Sequence, residues 1–227
     1  MKFPYLLFDA DDTLFDFPKA ASRAFSIMCR SNDIPENAET YQLYDEINAV
    51  LWAAFERGEV SKSFVTHERY IRFLKALGLE RDPAKCNRDY LTALGEAVYP
   101  LPHAEIVCRT LAERGHYLYI VTNAVASVQQ SRLQRCSFAH LFLDVFISEN
   151  AGASKPSKAY YDYVQSCVPE ISPDNTLIIG DSLTTDIRGA NNAGFPCCWF
   201  NPRRKSAPAD LRIDYEIRDL KELLDLV

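Results

Sequence analysis

The stretch Leu6-Leu7-Phe8-Asp9-Ala10-Asp11-Asp12-Thr13-Leu14 decides the fold, because an apolar run leads directly into three closely spaced carboxylates. Asp9 and Asp11 are two positions apart, so on an extended segment their side chains point to the same side. Two ionised carboxylates about 4 Å apart repel by roughly 4 kcal/mol at an effective dielectric near 20. The stretch therefore predicts a site with a bound cation or with raised carboxyl pKa values. By itself it also fits a polar turn after a buried strand.

Two further apolar runs end in the same way. Residues 117–121 lead into Thr122 and Asn123, and residues 176–179 lead into Gly180 and Asp181. Continuous apolar runs are typical of strands in a parallel sheet that is covered on both faces. In open α/β sheets the ligand site lies at the carboxyl ends of the strands. We therefore expect these three polar strand ends to meet in space.

The composition excludes several classes of protein. Of the 227 residues, 48% are hydrophobic and 25% charged, which is typical of a globular chain with a real core. The net charge of -6 argues against a nucleic-acid polymer or a membrane surface as the main partner. The seven cysteines form no C-x-x-C pair, which argues against a zinc site. Without a signal-like segment or a membrane-length apolar run, a cytoplasmic protein with reduced thiols is expected, as a monomer or homodimer.

The chain divides into an α/β part and a helical part. Helical spacing of apolar residues covers 20–28, 41–55 and 64–77, and we expect a helical cap domain over residues 16–95. Helices and strands alternate after residue 99, which predicts a Rossmann-like parallel sheet core from residues 1–15 and 96–227. The predicted strands are 5–9, 117–122, 144–148, 176–180 and 197–200, with a helix at about 184–192.

Four motifs in this order resemble the haloacid dehalogenase superfamily, in its subgroup with a helical cap. They are Asp9-Ala10-Asp11-Asp12-Thr13, Val121-Thr122-Asn123, Lys155-Pro156, and Gly180-Asp181-Ser182 with Asp186. Each motif is weak alone, and their order and placement give the resemblance its strength. It implies that Asp9 attacks a phosphoryl group to form an aspartyl-phosphate. It also implies that Asp11 protonates the leaving oxygen and later deprotonates water.

The resemblance further implies a Mg²⁺ site. Asp9 and Asp181 would be carboxylate ligands, and Asp11 would contribute its backbone carbonyl. Asp186 would lie in a shell behind these ligands or contact the metal through water. Gly180-Asp181-Ser182 also fits a tight turn into a helix capped by Ser182 or Thr184, and Asp186 could simply favour the first helical turn.

The remaining motif residues are expected to bind phosphate. Thr122 can donate its hydroxyl to a phosphate oxygen, and Asn123 or the next backbone amide can add a second donor. Lys155 would offset the charge of the nucleophile and of the phosphoryl oxygens. Asn123 could instead simply cap a helix, and a lone lysine is usually a solvated surface residue.

Asp11 favours phosphoryl transfer over dehalogenation, because the related dehalogenases lack this second acid. Many relatives have glycine at the position of Asp12. The Asp11-Asp12-Thr13 sequence here is similar to that of the bacterial pyrimidine 5′-nucleotidase branch. That branch implies a small phosphorylated metabolite, a nucleoside monophosphate, as substrate. Cap candidates for base recognition are Trp52, Phe55, His67, Arg69 and Tyr70, although aromatic residues at helical spacing more often form a core. A gating flap is expected at Phe15, Asp16 and Phe17.

Three alternatives stay open at this point. The chain could be a sugar-phosphate or phosphoglycolate phosphatase, or a phosphomutase, of the same superfamily. It could be a phosphoaccepting signalling domain, which also combines an acidic pocket with a hydroxyl residue and a lysine. It could also be an inactive interaction protein, which the complete set of motifs argues against.

Overall fold

The computed structural model describes residues 2–227, and its centre is a six-stranded parallel sheet with the order β3-β2-β1-β4-β5-β6. The strands are β1 (Tyr5–Phe8), β2 (Tyr117–Thr122), β3 (Phe142–Ile147), β4 (Thr176–Gly180), β5 (Cys197–Phe200) and β6 (Tyr215–Ile217). Strand order reverses at β1, because β2 and β3 lie on one side of it and β4 to β6 on the other. Such a reversal is where parallel α/β sheets bind ligands.

Ten α-helices surround or extend this sheet. They are α1 (Phe17–Ser31), α2 (Ala38–Glu56), α3 (Lys62–Leu77), α4 (Pro83–Glu96), α5 (Ala104–Glu113), α6 (Ala126–Arg135), α7 (Ser148–Ala151), α8 (Lys158–Cys167), α9 (Arg188–Ala193) and α10 (Leu223–Leu226). No helix among residues 2–227 is both long and apolar enough to cross a membrane. The α/β fold class with a parallel sheet is therefore confirmed.

The central strand is buried on both faces, as its continuous apolar sequence predicts. Leu6 and Phe8 pack into one hydrophobic cluster, and Leu7 packs into another on the opposite face. All three side chains are fully buried. Asp9 follows immediately, and its backbone N–H donates to the Ile179 carbonyl of β4 at 2.8 Å. The ends of β1, β2 and β4 thus meet at one edge of the sheet.

The first four helices bury their own cluster of aromatic residues, which includes Phe25, Tyr44, Phe73 and Tyr90. The chain leaves and rejoins the sheet at adjacent points. The Asp16 N–H donates to the Tyr99 carbonyl, and the Leu101 N–H donates to the Leu14 carbonyl, each at 2.8 Å. Because this arrangement separates two packed units, we propose residues 16–95 as the cap, with residues 1–15 and 96–227 as the core.

Three details differ from the sequence-based elements. The strand β6 was not predicted, since it has only three residues and alternates in burial at the sheet edge. The strand β3 begins two residues earlier than expected, at Phe142. The predicted helix at 184–192 is a π-helical turn over Leu183–Ile187 followed by α9. Short edge strands carry too little hydrophobic pattern to stand out in a sequence.

Replacing Leu7 by alanine should lower the free energy of unfolding by about 2–5 kcal/mol, because it opens a cavity in the centre of the sheet. Leu143→Ala is the matched control, since that side chain is 61% exposed on β3. Its effect should stay within about 0.5 kcal/mol. Chemical denaturation of both variants measures the difference, and equal effects would contradict the central position of β1.

Candidate active site

The ammonium group of Lys155 lies among the ends of β1, β2 and β4. It donates to Asp9 Oδ1 and Asp186 Oδ1, both at 2.6 Å, and to the Val121 carbonyl at 2.8 Å. The lysine side chain is only 1% exposed. All three N–H groups of the ammonium are used, so the lysine contacts the two carboxylates directly. Its predicted contact with a phosphate oxygen would require one of these bonds to exchange.

Asn123 fixes the backbone of this lysine. Its side-chain oxygen accepts from the Lys155 N–H at 3.0 Å, and its amide nitrogen donates to the Lys155 carbonyl at 2.9 Å. Its side chain thus holds the loop before α8, and the second N–H of the amide stays available for the predicted phosphate contact, since Asn123 lines the cavity described below. The adjacent Thr122 hydroxyl accepts from the Ala124 N–H at 3.0 Å. Its own proton remains free to be donated, and Thr122 lines the cavity described below.

The carboxylates of Asp9, Asp181 and Asp186 form a cluster that can hold a cation. One oxygen from each lies within 4.8 Å of the others. Gly180 allows Asp186 to approach, because a Cβ atom at position 180 would lie 2.3 Å from Asp186 Oδ2. One ammonium faces three carboxylates, so an excess of negative charge remains when all three are ionised. Hard oxygen donors of this kind suit Mg²⁺.

Burial and like charge act on the pKa values in this cluster. Burial raises the pKa of Asp9 well above its usual range, Lys155 acts against this, and Asp186 and Asp181 add to it. Burial, followed by Asp186 and Asp12, raises the pKa of Asp181 to about 7. Burial lowers the pKa of Lys155, but Asp186 and Asp9 more than offset this effect and keep the ammonium protonated. Raised carboxyl pKa values indicate that a bound cation would stabilise the ionised cluster.

Asp11 lies beside Asp9 but outside the carboxylate cluster. Its Oδ1 accepts a hydrogen bond from Arg132 on α6, and the arginine side chain is only 1% exposed. Arg132 is not among the residues predicted from the sequence. The only sequence signal is its helical spacing from buried Val128, four positions earlier on the same face of α6.

Asp12 occupies the backbone region that favours glycine, with φ of 60°. Its Oδ1 accepts from the Phe17 N–H at 3.2 Å, which fastens the loop to the start of α1. Aspartate tolerates this conformation better than most residues, because its short side chain can bond locally. This geometry explains how Asp12 can occupy a position where glycine is common.

A cavity of about 240 Å³ lies above these groups, between the sheet edge and the first four helices. Its floor includes Asp9, Asp11, Thr122, Lys155 and Asp186, and its roof includes Asn48, Trp52, Phe55, Arg69 and Tyr90. Asp181 lines a second cavity on the other side of the carboxylate cluster. The structure therefore brings most predicted catalytic and phosphate-binding residues to one cavity.

The predicted cap residues separate into two groups. Trp52, Phe55 and Arg69 line the cavity, whereas Tyr70 is fully buried among cap aromatic residues and His67 is exposed outside it. Of the expected flap, Phe17 lines the cavity, Asp16 caps α1 and Phe15 is buried against Phe138. Phe15 therefore packs in the core and cannot open as a flap residue in this arrangement.

Polar contacts, and the packing of α4 against Val128 of α6, join the roof to the floor. Lys62 at the start of α3 donates to the Ala124 carbonyl at 2.9 Å and to the Ser148 hydroxyl at 2.8 Å. The Thr184 hydroxyl donates to Glu56 Oε2 at 2.9 Å. These polar contacts lie at the boundary between the helical part and the sheet.

The sequence matches the haloacid dehalogenase-like hydrolase family over residues 6–200. The protein YfnB of Bacillus subtilis (strain 168) is 38% identical over 222 residues, which is 98% of this chain and 94% of YfnB. The crystal structure of YfnB bound to magnesium has a TM-score of 0.93 to this structure and covers 100% of this chain and 99% of that chain.

Two pyrimidine 5′-nucleotidases are also similar to this chain. PynA of Streptococcus pneumoniae (strain ATCC BAA-255 / R6) is 32% identical over 225 residues, covering 99% of this chain and 95% of PynA. YjjG of Escherichia coli (strain K12) is 30% identical over 228 residues, covering 100% of this chain and 99% of YjjG. The similarity therefore extends over the helical part as well as the sheet.

Replacing Asp181 by asparagine should stabilise the metal-free protein more at pH 8 than at pH 5.5. The pKa of Asp181 is about 7 in the folded chain and about 3.9 in an unfolded chain. The folded state therefore binds more protons between these values, and the contribution of Asp181 to stability falls as pH rises through this window. Asparagine cannot ionise and avoids that loss.

Thermal unfolding in the presence of a chelator measures this effect. We expect the gain at pH 8 to exceed the gain at pH 5.5 by roughly 2–4 °C, which is about 1 kcal/mol for a chain of this size. Asp174→Asn, at an exposed position, is the control and should respond equally at both pH values. Equal gains for Asp181→Asn would show that its carboxyl group is not destabilised in the folded state.

Proposed function

The chain belongs to the haloacid dehalogenase-like hydrolase family, and we propose that it is a Mg²⁺-dependent phosphatase for pyrimidine nucleoside 5′-monophosphates. Its phosphatase class follows from its family and from its similarity to two nucleotidases. The observation that carries this proposal is the Asp9–Lys155–Asp186 network at the floor of the cavity. The similarity to the pyrimidine 5′-nucleotidases PynA and YjjG supports the choice of substrate.

The proposed reaction begins at Asp9. Lys155 holds Asp9 Oδ1, so the second oxygen, Oδ2, is the atom available for attack. A bond forms between Oδ2 and phosphorus, and the ester bond between phosphorus and the sugar oxygen breaks. Asp11, in its protonated form, gives its proton to that leaving oxygen. The products of this step are the nucleoside and an aspartyl-phosphate on Asp9.

The second step regenerates the enzyme. Asp11, now a carboxylate, takes a proton from a water molecule as that water attacks the phosphorus. The bond between phosphorus and Asp9 Oδ2 breaks, and inorganic phosphate is released. Thr122 would donate its hydroxyl to a phosphate oxygen through both steps. Lys155 keeps Asp9 oriented and offsets the charge that accumulates next to it.

Asp9 and Asp181, with the Asp11 backbone carbonyl, would hold Mg²⁺, and Asp186 would support them through Lys155. The cluster fits this ion, because its donors are hard oxygen atoms and its negative charge exceeds the charge of the one lysine. When bound, the ion would supply charge neutralisation between the nucleophile and the phosphate. YfnB was crystallised with magnesium, which supports the same choice of ion here.

The proposed base specificity rests on Asn48 in the cavity roof. Arg69 donates to Asn48 Oδ1 at 3.2 Å. Arginine can only donate, so the amide oxygen must face it and the amide N–H groups face away. Those N–H groups have no partner among residues 2–227. They can donate to a ring carbonyl, which uracil, thymine, cytosine and guanine carry and adenine lacks, so this contact discriminates against adenine.

Phosphate release in the presence of Mg²⁺ tests the proposed function. The panel contains UMP, CMP, dTMP, AMP, GMP, ribose 5-phosphate and phosphoglycolate. We expect the pyrimidine nucleotides to react fastest. Asp9→Asn should reduce release by about 10³-fold or more, because it removes the nucleophile. Asp11→Asn should reduce it by roughly 10²- to 10⁴-fold.

Asp174→Asn is the matched control for these two variants and should keep the activity of the parent chain. If both active-site variants also keep that activity, the mechanism is wrong. If sugar phosphates or phosphoglycolate react faster than every nucleotide, the mechanism stands and the substrate class is the sugar-phosphate alternative. Isomer formation without phosphate release would indicate a mutase.

Asn48→Ala should weaken selection for the base without affecting the chemistry. Loss of one hydrogen bond of about 1 kcal/mol lowers kcat/KM for UMP roughly fivefold. For ribose 5-phosphate, which has no base, the change should be less than about twofold. Asn87→Ala is the control, because Asn87 also accepts from Arg69, at 2.8 Å, but does not line the cavity. Equal losses for UMP and ribose 5-phosphate would exclude base reading by Asn48.

A further inference from the structure

Arg132 is buried beside the proposed acid with only one carboxylate partner. Its NH1 atom donates to Asp11 Oδ1 and makes a longer contact of 3.3 Å with the Gln129 side-chain oxygen. The other two guanidinium nitrogens, Nε and NH2, are buried and have no partner among residues 2–227. Among those residues, Asp11 is therefore the single group that balances its charge.

A purely structural role does not account for this arrangement. Removing a guanidinium from water costs several kcal/mol unless pairing and further hydrogen bonds compensate for it. Here two of its nitrogens gain no compensation. The position is in the buried face of α6, where an apolar side chain would pack without that cost. The contact with Asp11 is therefore what the buried guanidinium of Arg132 provides.

The surrounding packing fixes the direction of Arg132. The guanidinium carbon lies 5.3 Å from the centre of the Phe15 ring, and Phe15 in turn stacks on Phe138 at 6.0 Å. Phe15 is 1% exposed and belongs to the core. A cation held against a buried aromatic ring has little freedom to turn. Arg132 can therefore define where Asp11 Oδ1 lies.

We propose that Arg132 is a positioning residue, which holds Asp11 so that its second oxygen, Oδ2, faces the leaving oxygen of the substrate. This inference rests on the proposed function. As Asp9 bonds to phosphorus and the ester bond breaks, the electron pair of that bond goes to the sugar oxygen. This oxygen takes the proton from Asp11 Oδ2, and the carboxylate that forms remains bonded to Arg132.

Direct phosphate binding by Arg132 fits the geometry less well. Its side chain is 1% exposed, and its two unpartnered nitrogens are enclosed by protein. Arg132 lines the cavity beside Asp11, but neither of these nitrogens is exposed in it. Asp11, with 28% of its side chain exposed, is the more accessible member of the pair.

The experiment compares two leaving groups in the first turnover, by rapid quench with Mg²⁺ present. Release of uridine from UMP requires a proton on an alkyl oxygen, whereas 4-nitrophenolate leaves from 4-nitrophenyl phosphate without one. Arg132→Met should slow uridine release roughly 10- to 100-fold, as expected for a misplaced catalytic group. Nitrophenolate release should fall less than about threefold, and KM for UMP should be unchanged.

Two further variants complete the test. Arg132→Lys should recover part of the uridine rate, and it replaces Arg132→Met if that variant is unfolded at the assay temperature. Arg135→Met changes an exposed arginine on the same helix, bonded only to Ser131, and should match the parent chain. Thermal unfolding midpoints of all variants show whether any loss of rate comes from unfolding.

Equal losses for the two substrates would overturn the proposal and indicate a structural role. A raised KM with equal losses would overturn it in favour of phosphate binding. The parent chain tests the proposed function in the same experiment. If it leaves UMP intact, the proposed substrate fails separately, and the alkyl comparison uses whichever alkyl ester of the panel it does hydrolyse.

Discussion

The structure depends on one buried ammonium group shared by two carboxylates. Burying a lysine costs several kcal/mol unless its charge and its hydrogen bonds are satisfied. Lys155 meets that condition only where Asp9, Asp186 and the Val121 carbonyl converge. These three acceptors follow or belong to three different strands, so the ends of β1, β2 and β4 must stay in register. The same three contacts of Lys155 therefore hold both the carboxylates of the site and the ends of the strands in place.

This charge balance also explains why the cluster of Asp9, Asp181 and Asp186 favours binding of a metal ion. Lys155 compensates for one carboxylate, and three carboxylates lie together. Without further positive charge the excess is relieved by protonation, which agrees with the raised pKa values of Asp9 and Asp181. Gly180 increases the crowding, since it lets Asp186 lie directly against β4. Such a site is stabilised by a cation or by a proton, and only the cation leaves Asp9 ionised.

The sequence was most informative where burial is continuous and least informative where a residue's neighbours are distant in the chain. The apolar runs of β1, β2 and β4 are readable because both faces of each strand are covered, and their polar ends follow in order. The edge strand β6 lacks that pattern. Asn123 is predicted to bind phosphate, and nothing in the sequence indicates that its amide also pairs with the Lys155 backbone, 32 positions away. Arg132 lies on a helix, where arginine is usually solvated. Only the tertiary packing shows that it is buried against Asp11.

Under the proposed function, the division between sheet and helical part would separate reaction chemistry from substrate selection. The groups assigned to the reaction are held by strand ends and a buried ion pair. The roof residues belong to helices with their own aromatic cluster, in which Arg69 lies over Tyr70 and Tyr90 at 5.0 and 4.8 Å. That packing orients Arg69, which in turn orients Asn48 without any contact with the floor. Under the proposed function, changes in the roof would therefore alter which base fits while the charge balance around Lys155 stays intact.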